Sequence, residues 1–151
     1  MIEAVPTGLF SNGFRLQQPH GTVAELHVSG WREKAEFAMH GGRYRLYRQG
    51  FASGAFVLEG NGRILARAVK PSAFRARFHV EVGGRTFELR RTAWSGNFGL
   101  FDGGTQVGTI RRAGMFTRRA IIDLPGDWPL AAQVFVFWLA LVIWNRDQSA
   151  G

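Results

Sequence analysis

Cysteine is absent from this sequence of 151 residues, and lysine is scarce: Lys34 and Lys70 are the only two lysines among 19 basic side chains. Without cysteine there are no disulfides, no thiolate metal sites and no cysteine nucleophiles. This composition fits a reducing compartment, and a cytoplasmic location is expected. The first residues, MIEAVPTGLFSNG, have neither the basic start nor the long apolar run of a secretory signal, so none is predicted.

Sequence motifs of common active sites are also missing. No G-x-S-x-G and no Walker loop occurs, and Gly-Gly-Arg appears only in turn patterns, away from the helix start that a phosphate cradle needs. The four histidines have neither helical i, i+4 spacing nor an H-E-x-x-H motif; they are His20, His27, His40 and His79. The sequence therefore predicts no catalytic residue, no metal site and no cofactor. A Ser/His/Asp site stays open, because its members need not be close in sequence.

Basic residues outnumber acidic residues by 19 to 11, which gives a net charge of +8. A surface with this charge attracts phosphate-rich partners, either an anionic membrane or a nucleic acid. Nearly all the basic residues are arginine, and alanine and glycine are frequent, so the base composition of a GC-rich bacterial genome is an alternative cause. Nucleic-acid binding is not favoured, because it depends on charge alone: no RNP-type or helix-turn-helix pattern is visible.

The segment from Leu130 to Trp144, LAAQVFVFWLALVIW, is apolar on every face, and Gln133 is its one polar residue. A helix of this kind is either enclosed by protein or spans a membrane. At 1.5 Å per residue it extends only ~22 Å, short of the ~30 Å core of a bilayer. A buried core helix is therefore predicted. A C-terminal membrane anchor is the alternative, because the stretch from Trp128 to Trp144 reaches the bottom of the spanning range and has a tryptophan at each end.

The chain length indicates a single domain over residues 1–151. An irregular lead-in is predicted over residues 1–13, the central helix over 127–145 and a tail over 146–151. Asp127 is placed to cap the free N–H groups of the helix, and a proline follows in its first turn, where a missing N–H costs nothing.

Between Phe14 and Asp123 apolar and polar residues alternate, and two-residue turn signals interrupt the alternation. The turn dipeptides are Gly41-Gly42, Asn61-Gly62, Gly83-Gly84 and Gly103-Gly104, spaced by 20, 22 and 20 residues. Such dipeptides between alternating runs indicate β-hairpins, because type I′ turns need a positive φ at both central positions. The pattern predicts about eleven or twelve antiparallel strands.

An open sheet of that many strands would expose long edges, which closure into a barrel removes. A barrel of this size has an interior too wide for the side chains of the strands to fill alone. The apolar helix is the segment that can fill it, as in other barrels with a central helix. The predicted fold is therefore mainly β: a closed antiparallel β-barrel built from hairpins, enclosing a central hydrophobic C-terminal α-helix.

The order of three segments carries a family resemblance: the hairpins VEVGGRTFEL and FDGGTQVGTIRR, followed by RRAIIDLPGDWPLAAQVFVFWLALV. Over nearly its whole length the chain resembles the Tubby C-terminal-like fold, and within it the LURP-one-related and phospholipid-scramblase-like families. The resemblance implies a closed barrel of about twelve strands around a central helix. It also implies an association with lipid or membrane.

Tubby-like domains bind phosphoinositide headgroups through Lys and Arg on the barrel, so the resemblance implies a basic lipid site. Its positions have no residue-by-residue match here, and the scarcity of lysine means that such a site would consist of arginine. The acidic calcium segment that scramblases carry before the last helix is missing. Asp123 and Asp127 alone supply too few oxygens for Ca²⁺, which takes six or more ligands.

Arginines on the hairpin from Phe74 to Arg90 form the first candidate site. Pairing across its two-residue turn places Arg77 opposite Arg90, and Arg75 opposite Thr92. Like charges directly opposite each other destabilise a sheet. A bound anion such as a lipid phosphate would offset that cost; alternatively, the long side chains splay apart into water.

Two arginine pairs form the second candidate site, Arg111 with Arg112 and Arg118 with Arg119. Between them lie the apolar residues Met115 and Phe116, an arrangement suited to a loop that touches a membrane. The alternative is a hairpin in which Phe116 is buried.

These observations predict a non-enzymatic binding module that associates with anionic membrane lipid headgroups through surface arginines and is peripheral to the membrane. The alternatives are a small-ligand or enzymatic site at the mouth of the barrel, nucleic-acid binding by net positive charge, and membrane anchoring by the helix. No feature of the sequence indicates a protein partner.

Overall fold

The structure, a computed structural model, describes residues 1–8, 12–29, 33–50, 54–72, 75–92, 96–114 and 116–150. Phe74 and Met115 lie outside the described residues. Twelve strands and one helix are present: β1 Ile2–Pro6, β2 Gly13–Gln18, β3 Gly21–Ser29, β4 Lys34–Met39, β5 Gly42–Gln49, β6 Ala55–Gly60, β7 Arg63–Val69, β8 Arg77–Val82, β9 Arg85–Arg91, β10 Phe98–Asp102, β11 Thr105–Arg112, β12 Ala120–Asp123 and α1 Leu130–Ala150.

Every strand pairs antiparallel with the next one along the chain, and β1 pairs with β12, so the sheet closes into a barrel. The predicted fold class is confirmed. Two-residue turns join β2–β3, β4–β5, β6–β7, β8–β9 and β10–β11 at one end of the barrel, which we call the turn end. The longer connections join strands at the opposite end, which we call the loop end. Odd-numbered strands from β3 to β11 run towards the loop end.

The turns use the predicted dipeptides, with one shift. Asn61 and Gly62 have φ of 53° and 74°, as a type I′ turn requires. In the first hairpin, however, Met39 pairs with Gly42, so the central residues are His40 and Gly41, with φ of 48° and 75°. The predicted pair was one residue too late, and histidine is among the residues that tolerate this conformation best.

Helix α1 lies inside the barrel, and its residues from Ala131 to Trp144 are all buried. Edge-to-face aromatic contacts join it to the wall: Phe14 to Phe137 at 5.4 Å and Phe56 to Trp138 at 5.7 Å between ring centroids. Each fully buried large apolar side chain contributes about 1.5–3 kcal/mol through its burial. The prediction of a core helix is confirmed.

The direction of the helix is fixed by contacts at its two ends. Trp128, just before the helix, packs against Phe87 at 4.7 Å near the turn end. At the loop end the Trp144 indole Nε1 donates a hydrogen bond of 2.8 Å to the carbonyl of Gly96. The helix therefore enters the barrel at the turn end, and its C-terminal turns leave it at the loop end. Within the described residues α1 alone is long and apolar enough to cross a membrane, and 78% of its apolar window is buried in the barrel.

Three predicted boundaries were wrong. Residues 1–13 are not all irregular, because Ile2–Pro6 form β1, whose partners lie at the far end of the strand order. The helix begins at Leu130 rather than 127, and it continues through the predicted tail to Ala150. In addition, β8 begins at Arg77, so Arg75 lies before the strand and is not paired with Thr92. The Thr92 N–H instead donates to the Asn97 carbonyl at 2.9 Å.

Candidate functional site

Four strands that run to the loop end have a cation in the inward-facing phase within one residue of their last position. The last fully buried inward residues of these strands are Leu46, Ala68, Leu89 and Ile110. Two residues later come Arg48, Lys70, Arg91 and Arg112, which we call the collar. Because side chains alternate along a strand, the collar residues follow the core positions onto the rim of the barrel. At this end of the barrel, the inward-facing positions therefore change from buried apolar residues to cations over two residues of each strand.

Each collar cation lies over an aromatic ring. Arg48 is 5.9 Å from the centroid of Phe56, Lys70 is 6.0 Å from Phe78, and Arg91 is 5.8 Å from Phe98. These three phenylalanines are buried and lie at or near the start of the next strand. Arg112 lies 4.7 Å from the ring of Trp144 on the helix. Cation–π contacts of this kind contribute about 0.5–1 kcal/mol each at exposed sites, and they hold the collar against the rim.

Helix α1 adds a further cation, Arg146, and a carboxylate, Asp147, next to the collar. A second carboxylate, Glu33, comes from the segment before β4. Arg146 Nε donates to Glu33 Oε1 at 2.6 Å, and Arg48 Nη1 lies 3.6 Å from Glu33 Oε2. Glu33 has a left-handed φ of 49°, a conformation that is costly for a residue other than glycine. Its two ion pairs keep its carboxylate at the rim. Arg91 is paired with the other carboxylate, Asp147 of the helix.

A groove of about 580 Å³ opens beside the end of the helix. Its lining residues are Lys70, Arg75, Ala76, Arg77, Arg90, Arg91, Ile143, Arg146, Asp147 and Ala150. Among these, Asp147 is the single carboxylate, whereas six side chains are cationic. Charge-assisted hydrogen bonds from arginine are well suited to phosphate and carboxylate groups, so the groove has the chemistry of an anion site.

Burial and, second to it, neighbouring positive charge lower the pKa of two collar residues. Burial lowers the pKa of Lys70 from its ordinary value of 10.5, the charge of Arg146 lowers it further, and Glu33 partly opposes the shift. Burial, followed by the charge of Arg91, lowers the pKa of Arg112 as well. In both cases burial is the larger cause and a neighbouring arginine the second, so both cations lie close to another positive charge.

No protein-family model, curated protein or solved structure matches this chain. The resemblance to the Tubby-like and scramblase-like families therefore stays a prediction. Within the described ranges no group of three or more His, Asp or Glu residues is placed to hold a metal ion.

The predicted pairing of Arg77 with Arg90 is confirmed, and His79 pairs with Glu88 in the same ladder. The like charges do not face each other alone, however. Glu88 Oε1 lies 3.7 Å from Arg77 Nη1 and 3.4 Å from Arg90 Nε. One carboxylate thus offsets the repulsion that had suggested a bound anion. Arg90 also lies 4.0 Å from the centroid of the Phe101 ring. Although Arg75 is not part of the ladder, it lines the same groove as Arg77 and Arg90.

The structure keeps two members of the second predicted cluster together: Arg112, a collar residue, and Arg118 line one small pocket beside the end of the helix. Arg118 also donates to the Gly8 carbonyl. Arg119 pairs with Glu3 on the outer wall at 3.5 Å, and Arg111 is exposed on the outward face of β11.

Phe116 lies in the loop-end connection between β11 and β12 and is fully exposed, so the alternative in which it is buried was wrong. A free aromatic side chain at the cationic end of the barrel is instead consistent with the predicted contact with a membrane.

Sequence reasoning missed Arg48, Lys70, Arg91 and Arg146. The collar did have a signal: its members are separated by 22, 21 and 21 residues, the same repeat as the turns. Each collar residue occupies an inward-facing position of its strand. It therefore follows the buried apolar residues of that strand at the point where the strand reaches the rim.

Proposed function

We propose that this protein is a non-enzymatic binding module that associates with anionic membrane lipid headgroups through the loop end of its barrel. One observation supports the proposal above the others: Lys70 and five arginines line a single groove at that end. A polybasic surface gains about 1 kcal/mol per cation near an anionic membrane. The groove and the collar together supply enough cations for stable attachment.

The distribution of ion pairs supports the loop end rather than the whole surface. On the wall and at the turn end, three arginines each pair with one carboxylate: Arg45 with Glu59, Arg85 with Asp102 and Arg119 with Glu3. At the loop end cations outnumber carboxylates, and the three carboxylates near the groove, Glu33, Glu88 and Asp147, are already engaged with arginines. The uncompensated positive charge therefore favours one docking orientation.

Phe116 supplies the apolar part of the proposed contact. Peripheral proteins combine aromatic side chains that enter the headgroup boundary with basic residues that bind the headgroups. Phe116 is fully exposed and two residues from Arg118. Its insertion would remove the ring from water and would set the depth at which the arginines meet the phosphates.

Vesicle sedimentation with matched variants tests this function. Lys70→Gln combined with Arg75→Gln removes two charges from the groove, whereas Arg43→Gln combined with Arg63→Gln removes two exposed charges at the turn end. The groove variant is expected to bind acidic vesicles about thirtyfold more weakly, and the turn-end variant only slightly so. Equal losses in the two variants would show that net charge alone is responsible and would contradict the proposal.

Two further arms complete the experiment. Phe116→Ala is expected to weaken binding to acidic vesicles, whereas Ile64→Ala, which removes another exposed apolar side chain, is expected to leave it unchanged. A DNA duplex serves as the polyanion without a bilayer. If the wild-type chain binds duplex and acidic vesicles equally, and Phe116→Ala weakens neither, the membrane assignment is wrong.

A further inference from the structure

Lys70 differs from the other cations of the groove because it is a primary amine, and the chain has only one other lysine. We propose that the groove binds a small anionic carbonyl compound, of the class of phosphorylated aldehydes, and that Lys70 captures it as an imine. In this assignment Arg75 and Arg77 hold the anionic group. The inference does not depend on the proposed lipid binding, because its ligand is a soluble molecule with a reactive carbonyl carbon.

The dimensions of the groove fit such a ligand. Its volume of about 580 Å³ lies within the range of small-molecule sites. The groove also has apolar surface for a carbon skeleton, from Ala76 on the barrel and from Ile143 and Ala150 on the helix. Anion-binding arginines, an amine and a small apolar floor are the three elements that recognition of an anionic aldehyde requires.

The chemistry of the capture step balances without any further reagent. The lone pair of neutral Nζ attacks the carbonyl carbon and forms a carbinolamine. The carbonyl oxygen then leaves as water with the two hydrogens of the amine, and a C=N bond replaces the C=O bond. The step is reversible and needs no oxidant or reductant.

The surroundings of Lys70 favour the reactive form of the amine. Partial burial and the nearby charge of Arg146 lower its pKa, so a larger fraction of Nζ carries a free lone pair at neutral pH. The charge of Arg146 disfavours the protonated lysine, whereas Arg75 and Arg77 are assigned to the anionic group of the ligand. This combination is a known way in which proteins activate a lysine for imine formation.

Reductive trapping on the full chain tests the inference. Pyridoxal phosphate is the probe, borohydride reduces any imine to a stable secondary amine, and peptide mapping locates it. Lys34 on β4 is the internal control, and the amino terminus is the one other amine. Lys70 is expected to be labelled several-fold faster than Lys34, because arginines that can bind the phosphate of the probe line the same groove as Lys70. Lys70→Arg should abolish the fast phase, and Lys34→Arg should preserve it.

The role of the arginines has its own controls. Pyridoxal, which has the same aldehyde without the phosphate, should lose the preference for Lys70. Arg75→Ala should slow the labelling of Lys70 by pyridoxal phosphate several-fold without affecting Lys34, and inorganic phosphate should protect Lys70. Equal labelling of the two lysines, equal preference with both aldehydes, or unchanged labelling in Arg75→Ala would each overturn the proposal. Acidic vesicles that protect Lys70 would support the two assignments together, whereas vesicle binding without trapping would retain the lipid proposal alone.

Discussion

Replacing Trp138 with aspartate is the strongest test of whether the C-terminal helix is the core of the barrel. Trp138 is fully buried at the middle of α1 and packs against Phe56 at 5.7 Å and Phe135 at 6.3 Å between ring centroids. Truncating a buried tryptophan costs about 3–5 kcal/mol. An unpaired carboxylate at the same place adds several kcal/mol more.

The sum of these two costs is comparable to the whole stability of a domain, about 5–15 kcal/mol. Within the described residues the indole Nε1 of Trp138 is itself buried without a hydrogen-bond partner, so no polar contact is already in place at this site. The Trp138→Asp chain is therefore expected not to fold at neutral pH. Trp138→Phe, which keeps an aromatic ring and removes the unpartnered N–H, is expected to fold with a modest loss of stability.

Circular dichroism, the soluble fraction after expression and urea unfolding provide the measurements. Asn145→Asp is the control, because it adds the same charge one residue beyond the buried part of the helix, where the side chain is exposed. It should leave the cooperative transition in place. A Trp138→Asp chain that stays soluble, unfolds cooperatively and has lost only its affinity for membranes would refute the reasoning, since that behaviour belongs to a tail anchor.

Three further predictions follow from the sheet, the helix and the collar. Glu88→Gln should lower the free energy of unfolding by about 0.5–1 kcal/mol in urea titration, because Arg77 and Arg90 then repel each other without a shared carboxylate. Asp123→Asn, at an exposed position opposite Thr109, is the control and should change little. Removing residues 128–151 should leave the inner face of the barrel without its core, so the remaining chain is expected to unfold or aggregate. A truncated chain that stays folded and monomeric by light scattering would contradict this expectation. Lys70 should make stability rise with pH between its lowered folded pKa and 10.5, because the unfolded chain binds more protons there; this rise should flatten in Lys70→Gln, as measured by unfolding at several pH values.

Local chemistry explains which parts of the fold were predictable. The dipeptide Gly83-Gly84 sets the register of its hairpin, because a two-residue turn fixes the pairs along the strands that it joins. After Asn61-Gly62 the register holds only for the first two pairs, because a bulge between Leu58 and Glu59 then shifts it by one residue. The pairing of Arg77 with Arg90 followed directly. The helix was predictable because its apolar surface has no polar face and must be enclosed. Strand β1 was missed, since its five residues include Pro6, follow no turn signal and pair with β12 across the closure of the barrel.

The candidate site was less predictable than the fold. Its residues come from strand ends and from the helix, and their convergence depends on how far long side chains reach. Glu88 could be placed opposite His79 from the register, but not between Arg77 and Arg90. The exposure of Phe116 could not be inferred either, because its phase in the sequence is compatible with a buried position. The spacing of the collar residues can be read from the sequence. It indicates a cluster of cations only once the inward-facing positions of each strand are known.

The position of the core element after all twelve strands has a consequence for how the protein is made. During synthesis the apolar inner faces of β1 to β12 leave the ribosome before the helix that covers them, and β1 waits for β12 before the sheet can close. Contacts between distant parts of a chain form slowly, and exposed strand edges aggregate in the meantime. The barrel is thus expected to complete its folding only after α1 has been released, which makes the nascent chain a client for chaperones that hold apolar β-segments apart until that moment.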